Sequence, residues 1–401
     1  MLKNTQYFAK YKENPLLFKT ILEQSKEGAY YALPETDVSE IIDFAKNVKK
    51  TNIALLGIGG SALGARAVYN FLKYSNKFSR SICFLESTDP VLLNASLEKI
   101  DLEDTLFLLI SKSGSTIETM SIFKYLLSKL ELSKENFAFI SDKDSPLDKL
   151  AQKHKISFFE IPKNVGGRFS VLSAVGLVPL ALLGVDIKAL LRGAKEVKDE
   201  FFSCGEIYTK LISKARFYVK NSNKININCL FSYSEVFRSF NAWYVQLWGE
   251  SLGKKQIHSD LNVGLTPIGL IGPSDQHSFL QLIMQGKRDK SVSFIKIGDF
   301  KSKLEIPDIN IEFNEDLNFI NSLTFSKLIN LQADSIIQSL KANADIALDI
   351  LEIPRVDEPS IGMLFYYYEL LTSLVAILFD INAYNQPGVE DGKKILRSYF
   401  D

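Results

Sequence analysis

Little in this chain is present in excess. Among its 401 residues are three cysteines, three histidines and two tryptophans, and 47 Lys and Arg balance 47 Asp and Glu. A balanced charge, with pI near 6.9, argues against the broad basic surface of a nucleic-acid or membrane-surface protein, so any anion site must be local. Cys83, Cys204 and Cys229 are odd in number and match no metal-site spacing. Cys83 and Cys229 lie in apolar, strand-like runs where buried free thiols are common, which suits a reducing cytoplasm. No HExxH, CxxC or G-x-S-x-G pattern occurs, and His154, His258 and His277 are scattered, so metal and serine-nucleophile chemistry are not expected. The stretch Met1 to Pro15 carries charges and no apolar core of a signal peptide. The apolar run Val171 to Val185, fifteen residues with Ser173, Gly176, Pro179 and Gly184, is short for a membrane span and fits a buried helix. What remains, 46% hydrophobic and 23% charged, is the composition of a soluble globular protein long enough for two or three domains.

Residues 1–50 read as amphipathic helices. From Asn52 the pattern becomes strand, glycine turn, helix, with short apolar runs at 52–58, 82–86, 105–110, 137–140 and 157–161. Continuous apolar runs alternating with helices indicate a parallel sheet covered on both faces. A buried helix over 169–183 and a charged one over 188–202 follow. A second alternation has strands at 225–233, 292–297 and 348–353 and helices at 236–252, 278–285 and 325–342. The segment Ile361–Phe379 is apolar nearly all round and should be buried between layers. These patterns divide the chain near 185–205 into two α/β units, with no clear self-similarity in sequence and no low-complexity segment or long linker.

Several segments carry chemistry. Gly57-Ile58-Gly59-Gly60-Ser61 lies between a strand and a helix, where glycines admit a ligand close to the backbone and free N–H groups attract an anion. A tight turn of any doubly wound fold reads the same. A dinucleotide fingerprint would need glycine at 62, which is Ala62. Ser111-Lys112-Ser113-Gly114-Ser115-Thr116 is more specific: five of six side chains are donors at the start of a helix, as a phosphate monoester requires, whereas a helix cap needs one hydroxyl. In Gly166-Gly167-Arg168, an Arg at the start of a buried helix opposes the positive helix terminus unless an anion or a carboxylate faces it. Glu250 ends a helix bearing Trp243, Tyr244, Leu247 and Trp248, where the macrodipole disfavours its charge; it is either a general base or a solvated acid beside Lys254 and Lys255. His277, with Asp275 two residues before it, is either a held acid-base group or a capping or core side chain; His154 reads as solvated, and His258 has no assigned role.

Read in order, GIGGS, SKSGST, GGRFS, WGESLGK, DQHSFLQLIMQG and NQPGVEDGK, from about residue 50 to the end, resemble the glucose-6-phosphate isomerase family. The two hydroxyl-rich loops resemble those of the sugar-isomerase (SIS) domain. The resemblance implies an α/β fold of two SIS-type doubly wound parallel-sheet domains, each a three-layer αβα unit, over 51–190 and 205–355. An N-terminal helical segment over 1–50 and C-terminal helices over 356–401 would flank them. It implies reversible aldose–ketose isomerisation of glucose 6-phosphate and fructose 6-phosphate, a cytoplasmic step of glycolysis and gluconeogenesis, with no cofactor and no metal. In that reading Ser61, Ser111, Lys112, Ser113 and Thr116 hold the phosphate, with Gly60, Gly167 and Gln386 also at the substrate. Glu250 moves the proton between C2 and C1, Arg168 stabilises the cis-enediol(ate), and His277 and Lys393 open the sugar ring. The family's histidine comes from the partner subunit, so a homodimer is implied, with no nucleic-acid or membrane partner.

The chain departs from the family pattern at Lys163, where an Asp-type residue is usual, and at Tyr384-Asn385-Gln386 in place of Phe-Asp-Gln. It also ends soon after Lys393, so the dimer-clasping tail and insertions of longer members are not expected. Two rival readings are a catalytically silent SIS-type sugar-phosphate sensor, which would not need Glu250, His277 and Lys393 together, and a dual phosphoglucose/phosphomannose isomerase, in which Thr tends to replace the glutamine at 386.

Overall fold

The computed structural model describes residues 1–12, 14–27 and 29–400. Its first sheet has the order β3-β2-β4-β5-β6, from β2 (Asn52–Leu56), β3 (Ser81–Leu85), β4 (Thr105–Ile110), β5 (Phe137–Ser141) and β6 (Ser157–Glu160), all parallel. Every residue of β4 and β5 is buried, as continuous apolar strands between helical layers must be. Alternate residues serve opposite faces. Leu106, Leu108 and Ile140 face the centre of the molecule with α3 (Leu63–Leu72) and α7 (Ala174–Leu183). Phe107, Leu109 and Phe139 face outward under α4 (Pro90–Leu97), α5 (Ile117–Leu127) and α6 (Pro146–His154).

The second sheet repeats this plan. Its order is β1-β12-β11-β7-β10, from β7 (Ile227–Ser232), β10 (Thr266–Ile271), β11 (Lys290–Asp299) and β12 (Ala347–Arg355), parallel throughout, with β1 (Lys3–Tyr7) added antiparallel at one edge. In both sheets the first strand of the unit lies between its second and third, which is the doubly wound arrangement. Inner residues Leu230, Ile295 and Leu351 join the central core with α9 (Glu206–Asn221) and α10 (Arg238–Leu252). Outer residues Phe231, Phe294 and Leu348 pack under α11 (Leu280–Gln285) and α12 (Phe325–Asn343). A two-stranded ribbon, β8 (Lys254–Lys255) and β9 (Asn262–Val263), follows α10.

The central core holds the two sheets together around α13 (Glu358–Leu378). This helix, a longer apolar segment than 171–185, has the length and composition of a membrane span, but its most apolar window is 89% buried inside the protein. It crosses α8 (Ile187–Phe202) at two glycines: a Cβ on Gly193 would lie 2.0 Å from the Pro359 carbonyl oxygen, and one on Gly362 2.1 Å from that of Leu190. The contact is therefore backbone on backbone. Glu369 is buried on the same helix with neither carboxyl oxygen hydrogen-bonded to protein, and burial pushes its carboxyl well above the ordinary range.

Residues 1–50 depart from the helical expectation. After β1 come α1 (Pro15–Lys26), a 3₁₀ segment Ala29–Glu35 and α2 (Ser39–Asn47). β1 escapes an apolar-period reading because its inward residues are Asn4 and Gln6, not hydrophobes. They enter a buried polar network. Lys214 on α9 donates to Asp349 on β12 (2.7 Å) and Ser293 on β11 (2.9 Å); Asn4 donates to Asp349 (2.8 Å) and Gln6 to Asn4 (2.8 Å). Burial alone would lower the Lys214 ammonium, but Asp349, with Tyr218 and Tyr367, outweighs it and holds the group above the ordinary lysine range. Asp349→Ala should leave that ammonium buried without a counter-charge and cost about 3–5 kcal/mol. Urea unfolding checks this, and a loss below about 1 kcal/mol would mean that the ion pair is not holding the second sheet.

Candidate active site

The first sheet changes direction of winding between β2 and β4, and ligands of open α/β sheets bind in the crevice at such a point, beyond the carboxyl ends of the strands. Both hydroxyl-bearing turns leave the sheet there. After β2, Gly59–Ser61 forms a 3₁₀ turn into α3. After β4, the loop 111–116 leads into α5. The Ser111 and Thr116 hydroxyls meet at 2.8 Å, and those of Ser113 and Ser115 at 2.9 Å. Thr116 occupies the cap position of α5 without capping it, whereas Asn14, Asp89, Ser145, Asp186 and Asp357 do cap their helices. The first N–H groups of α5 therefore lack the usual side-chain acceptor, a feature suited to an anion.

Lys112 does not join this cradle. Its ammonium donates to the carbonyls of Lys163 (2.9 Å), Val165 (2.8 Å) and Pro162 (3.4 Å) and lies 3.3 Å from Asp142. Loop carbonyls take its donors, and the side chain secures the segment before Gly166. The Lys163 carbonyl is one of those acceptors, a role that any residue at 163 fills.

Arg168 is the centre of the site. It does not begin an α-helix, as expected from sequence, but lies in a 3₁₀ turn, Gly167–Phe169, ahead of α7. Its side chain is 2% exposed, and all five N–H donors have acceptors. Nε donates to Ser251 (2.8 Å). One terminal nitrogen donates to Glu250 Oε2 (3.0 Å) and Gln386 Oε1 (2.9 Å), the other to the carbonyls of Asn385 (2.8 Å) and Ala383. Burial pulls the guanidinium below its ordinary range, and Glu250 opposes that shift. Glu250 is one-third exposed and, with Gln386 and Lys254, lines a cavity of about 390 Å³ at the end of α10. It pairs with Arg168 and is not the solvated partner of the adjacent lysines.

The GIGGS turn reaches the same place. A Cβ on Gly60 would fall 2.3 Å from both the carbonyl carbon and oxygen of Gly167. One on Gly59 would meet Gln246, whose amide reaches Glu250 at 3.5 Å. Ser61 sits in this turn, half-buried.

His277 and Lys393 are not part of the cavity lining. His277 is exposed, and Asp275 holds the Ile271 amide and the Ser278 hydroxyl instead of the imidazole. Lys393 stands on an exposed terminal helix, α14 (Glu390–Ser398), and pairs with Glu390 at 2.7 Å. Ser251 had no role in the sequence reading, and Lys254 only that of a charge near a solvated Glu250, although both follow Glu250 in WGESLGK, the one signal that could have singled them out. The backbone carbonyls of Ala383 and Asn385 leave no side-chain trace. No group of three His, Cys, Asp or Glu side chains suited to a metal occurs among the described residues.

Two doubly wound units with a hydroxyl-rich anion loop define an SIS-type phosphosugar fold. A glucose-6-phosphate isomerase from Chlamydia trachomatis shares the architecture, with TM-score 0.76, 24% identity and coverage of 98% of this chain and 76% of that one. A hypothetical protein from Thermus thermophilus matches with TM-score 0.88 and 30% identity over 96% of this chain and 95% of that chain. Glucose-6-phosphate isomerase of Campylobacter jejuni is 43% identical, with 99% of both chains covered. The phosphoglucose isomerase family model matches residues 43–400, and the chain belongs to that family.

The contact of Gly60 with Gly167 is testable without substrate. Gly60→Ala should overpack the junction, cost about 1–3 kcal/mol in urea unfolding and shift the Arg168 turn. Unchanged stability would mean that the two turns separate freely.

Proposed function

We propose that this protein interconverts glucose 6-phosphate and fructose 6-phosphate through a cis-enediol(ate), with Glu250 as the base. The observation that carries this reading is one cavity wall bearing Glu250, the Arg168 guanidinium at 3.0 Å from it, and Gln386 on the same guanidinium nitrogen. Abstracting a proton next to a carbonyl needs a placed carboxylate and a fixed cation facing the oxygen that becomes negative. Glu250 takes the C2 proton of the open aldose and returns it to C1, while the hydroxyl proton at O2 passes to O1. Arg168 faces the developing enediolate oxygen, which exchanges for one of the acceptors now on that nitrogen. Gln386 orders the substrate hydroxyls. Ser61, Ser111, Ser113, Thr116 and the free amides of α5 receive the phosphate, with Gly60 and Gly167 keeping the backbone close. Lys112 supports the Arg168 turn from behind. The units 51–190 and 205–355, joined by the α13 core, bring these parts together, and three unpaired cysteines accord with the cytoplasm.

Ring opening falls to His277 and Lys393. The exposure of His277, outside the Glu250 cavity, supports delivery of this histidine by a second copy of the chain. Lys393 acts once it releases Glu390.

Fructose 6-phosphate incubated with the protein in heavy water should yield glucose 6-phosphate deuterated at C2. Glu250→Gln should fold normally and lose about 10²–10⁴-fold in turnover. Near-wild-type turnover in that variant would end the assignment of the base. Mixing inactive His277→Ala with inactive Glu250→Gln protein should restore part of the activity as heterodimers form. No recovery, with subunit exchange verified by mass, would place a complete site in each subunit.

A further inference from the structure

Two charged groups of the cavity lining, Lys254 and Lys255, are used by nothing in the mechanism above, and Lys255 pairs with Asp260. Lys254 is the first residue of the ribbon after α10, half-buried, on the same wall as Glu250 and Gln386. Its ammonium does not pair with Glu250, which takes Arg168. It donates to the Asn385 carbonyl (2.5 Å), the Asn382 carbonyl (3.2 Å) and the Asn385 side-chain oxygen (3.3 Å). The Asn385 carbonyl is also an Arg168 acceptor. One backbone oxygen is thus held by two cations, immediately before Gln386.

The neighbouring contacts make the arrangement a strap fastened along its length. Gln256 donates to the Phe379 carbonyl, the Ile257 amide to the Asp380 carbonyl, and His258 engages the Asp380 carboxylate. The segment 254–258 therefore lies alongside 379–385, and Lys254 is its fastening nearest the cavity. We infer that Lys254 is a positioning residue, whose ammonium pins the Asn385 carbonyl and so keeps Arg168 and Gln386 aligned over Glu250. This rests on the isomerase reading for its kinetic consequence, though not for the contact itself.

The charges facing Lys254 are Arg168 from its 3₁₀ turn and Glu250 from α10; on neighbouring segments Asp380 is taken by His258 and Asp260 by Lys255. Burial, and then Arg168, pull the ammonium down to about 8 against the opposing effect of Glu250. Asn at 385 brings an amide oxygen and no charge to Lys254. The fastening is therefore charged below about pH 8 and weakens as pH rises through it.

Lys254→Met and Lys254→Arg test the inference. The Met variant should lose about 10-fold or more in kcat with KM within about 3-fold of wild type, because the phosphate loop is untouched while the groups acting in the transition state shift. The Arg variant keeps the charge and should restore most of kcat, and hold it to higher pH than wild type. In a Gln386→Ala background Lys254→Met should add little, since both act through the same alignment. Amide exchange over 382–389 should accelerate in the Met variant whether or not the protein turns over a sugar phosphate. Wild-type kcat in Lys254→Met together with unaltered exchange would overturn the inference. Equal loss in the Met and Arg variants, or full additivity with Gln386→Ala, would overturn it as well. A wild-type protein that leaves fructose 6-phosphate unchanged would overturn the isomerase reading instead, and the exchange experiment would still decide whether Lys254 pins the strap.

Discussion

The buried guanidinium of Arg168 is the constraint on which the rest of the site depends. A cation at 2% exposure is tolerable only if its donors are met, and here the acceptors come from two distant parts of the chain: the end of α10 and the residues after α13. Desolvation of one charge therefore dictates how the two sheet units and the terminal strap meet. The Glu250 carboxylate is held by the same necessity, because the bond that helps satisfy Arg168 also fixes Glu250. Local geometry reinforces this: Gly60 lets the GIGGS turn touch the Arg168 turn directly, and Lys112 ties the preceding loop by its carbonyls.

A chain with no net charge gathers its hydroxyl-rich turns in one crevice. The switch point between β2 and β4 aims two helix starts at the same space, and the hydroxyls of 111–116 bond to one another when they have no other partner. The crevice needs no basic surface, which is why bulk composition carried no hint of it.

Much of the architecture was legible because it depends on continuous apolar runs. The buried strands at 105–110 and 137–141 and the all-round apolar helix at 358–378 could bury their surfaces in few other ways. What was missed has the opposite character. β1 buries Asn4 and Gln6; α9 buries Ser213 and Lys214; β10 carries Pro267 and Gly269, admissible because it is an edge strand. Polar residues face inward wherever a network satisfies them, and such a network is invisible one segment at a time. At the site, Glu250, Arg168 and Gln386 were found through motif order, and their side chains meet in the structure. The contacts of Lys112 were not legible because its acceptors are backbone carbonyls, which carry no sequence signal.

The antiparallel edge strand has a bearing on how the chain is made. Asn4 reaches its partner Asp349 across 345 residues of sequence. At about 5–20 residues per second, the first strand emerges roughly 17–70 s before the strand it must pair with. During that interval its two inward amides have no partners on β12, and the Lys214 ammonium, made midway, has no counter-charge. The first sheet has all its strands by residue 160, but α10 and α13, which share its inner core, follow later. The closure of the second sheet thus pairs its first-made strand with its last-made one.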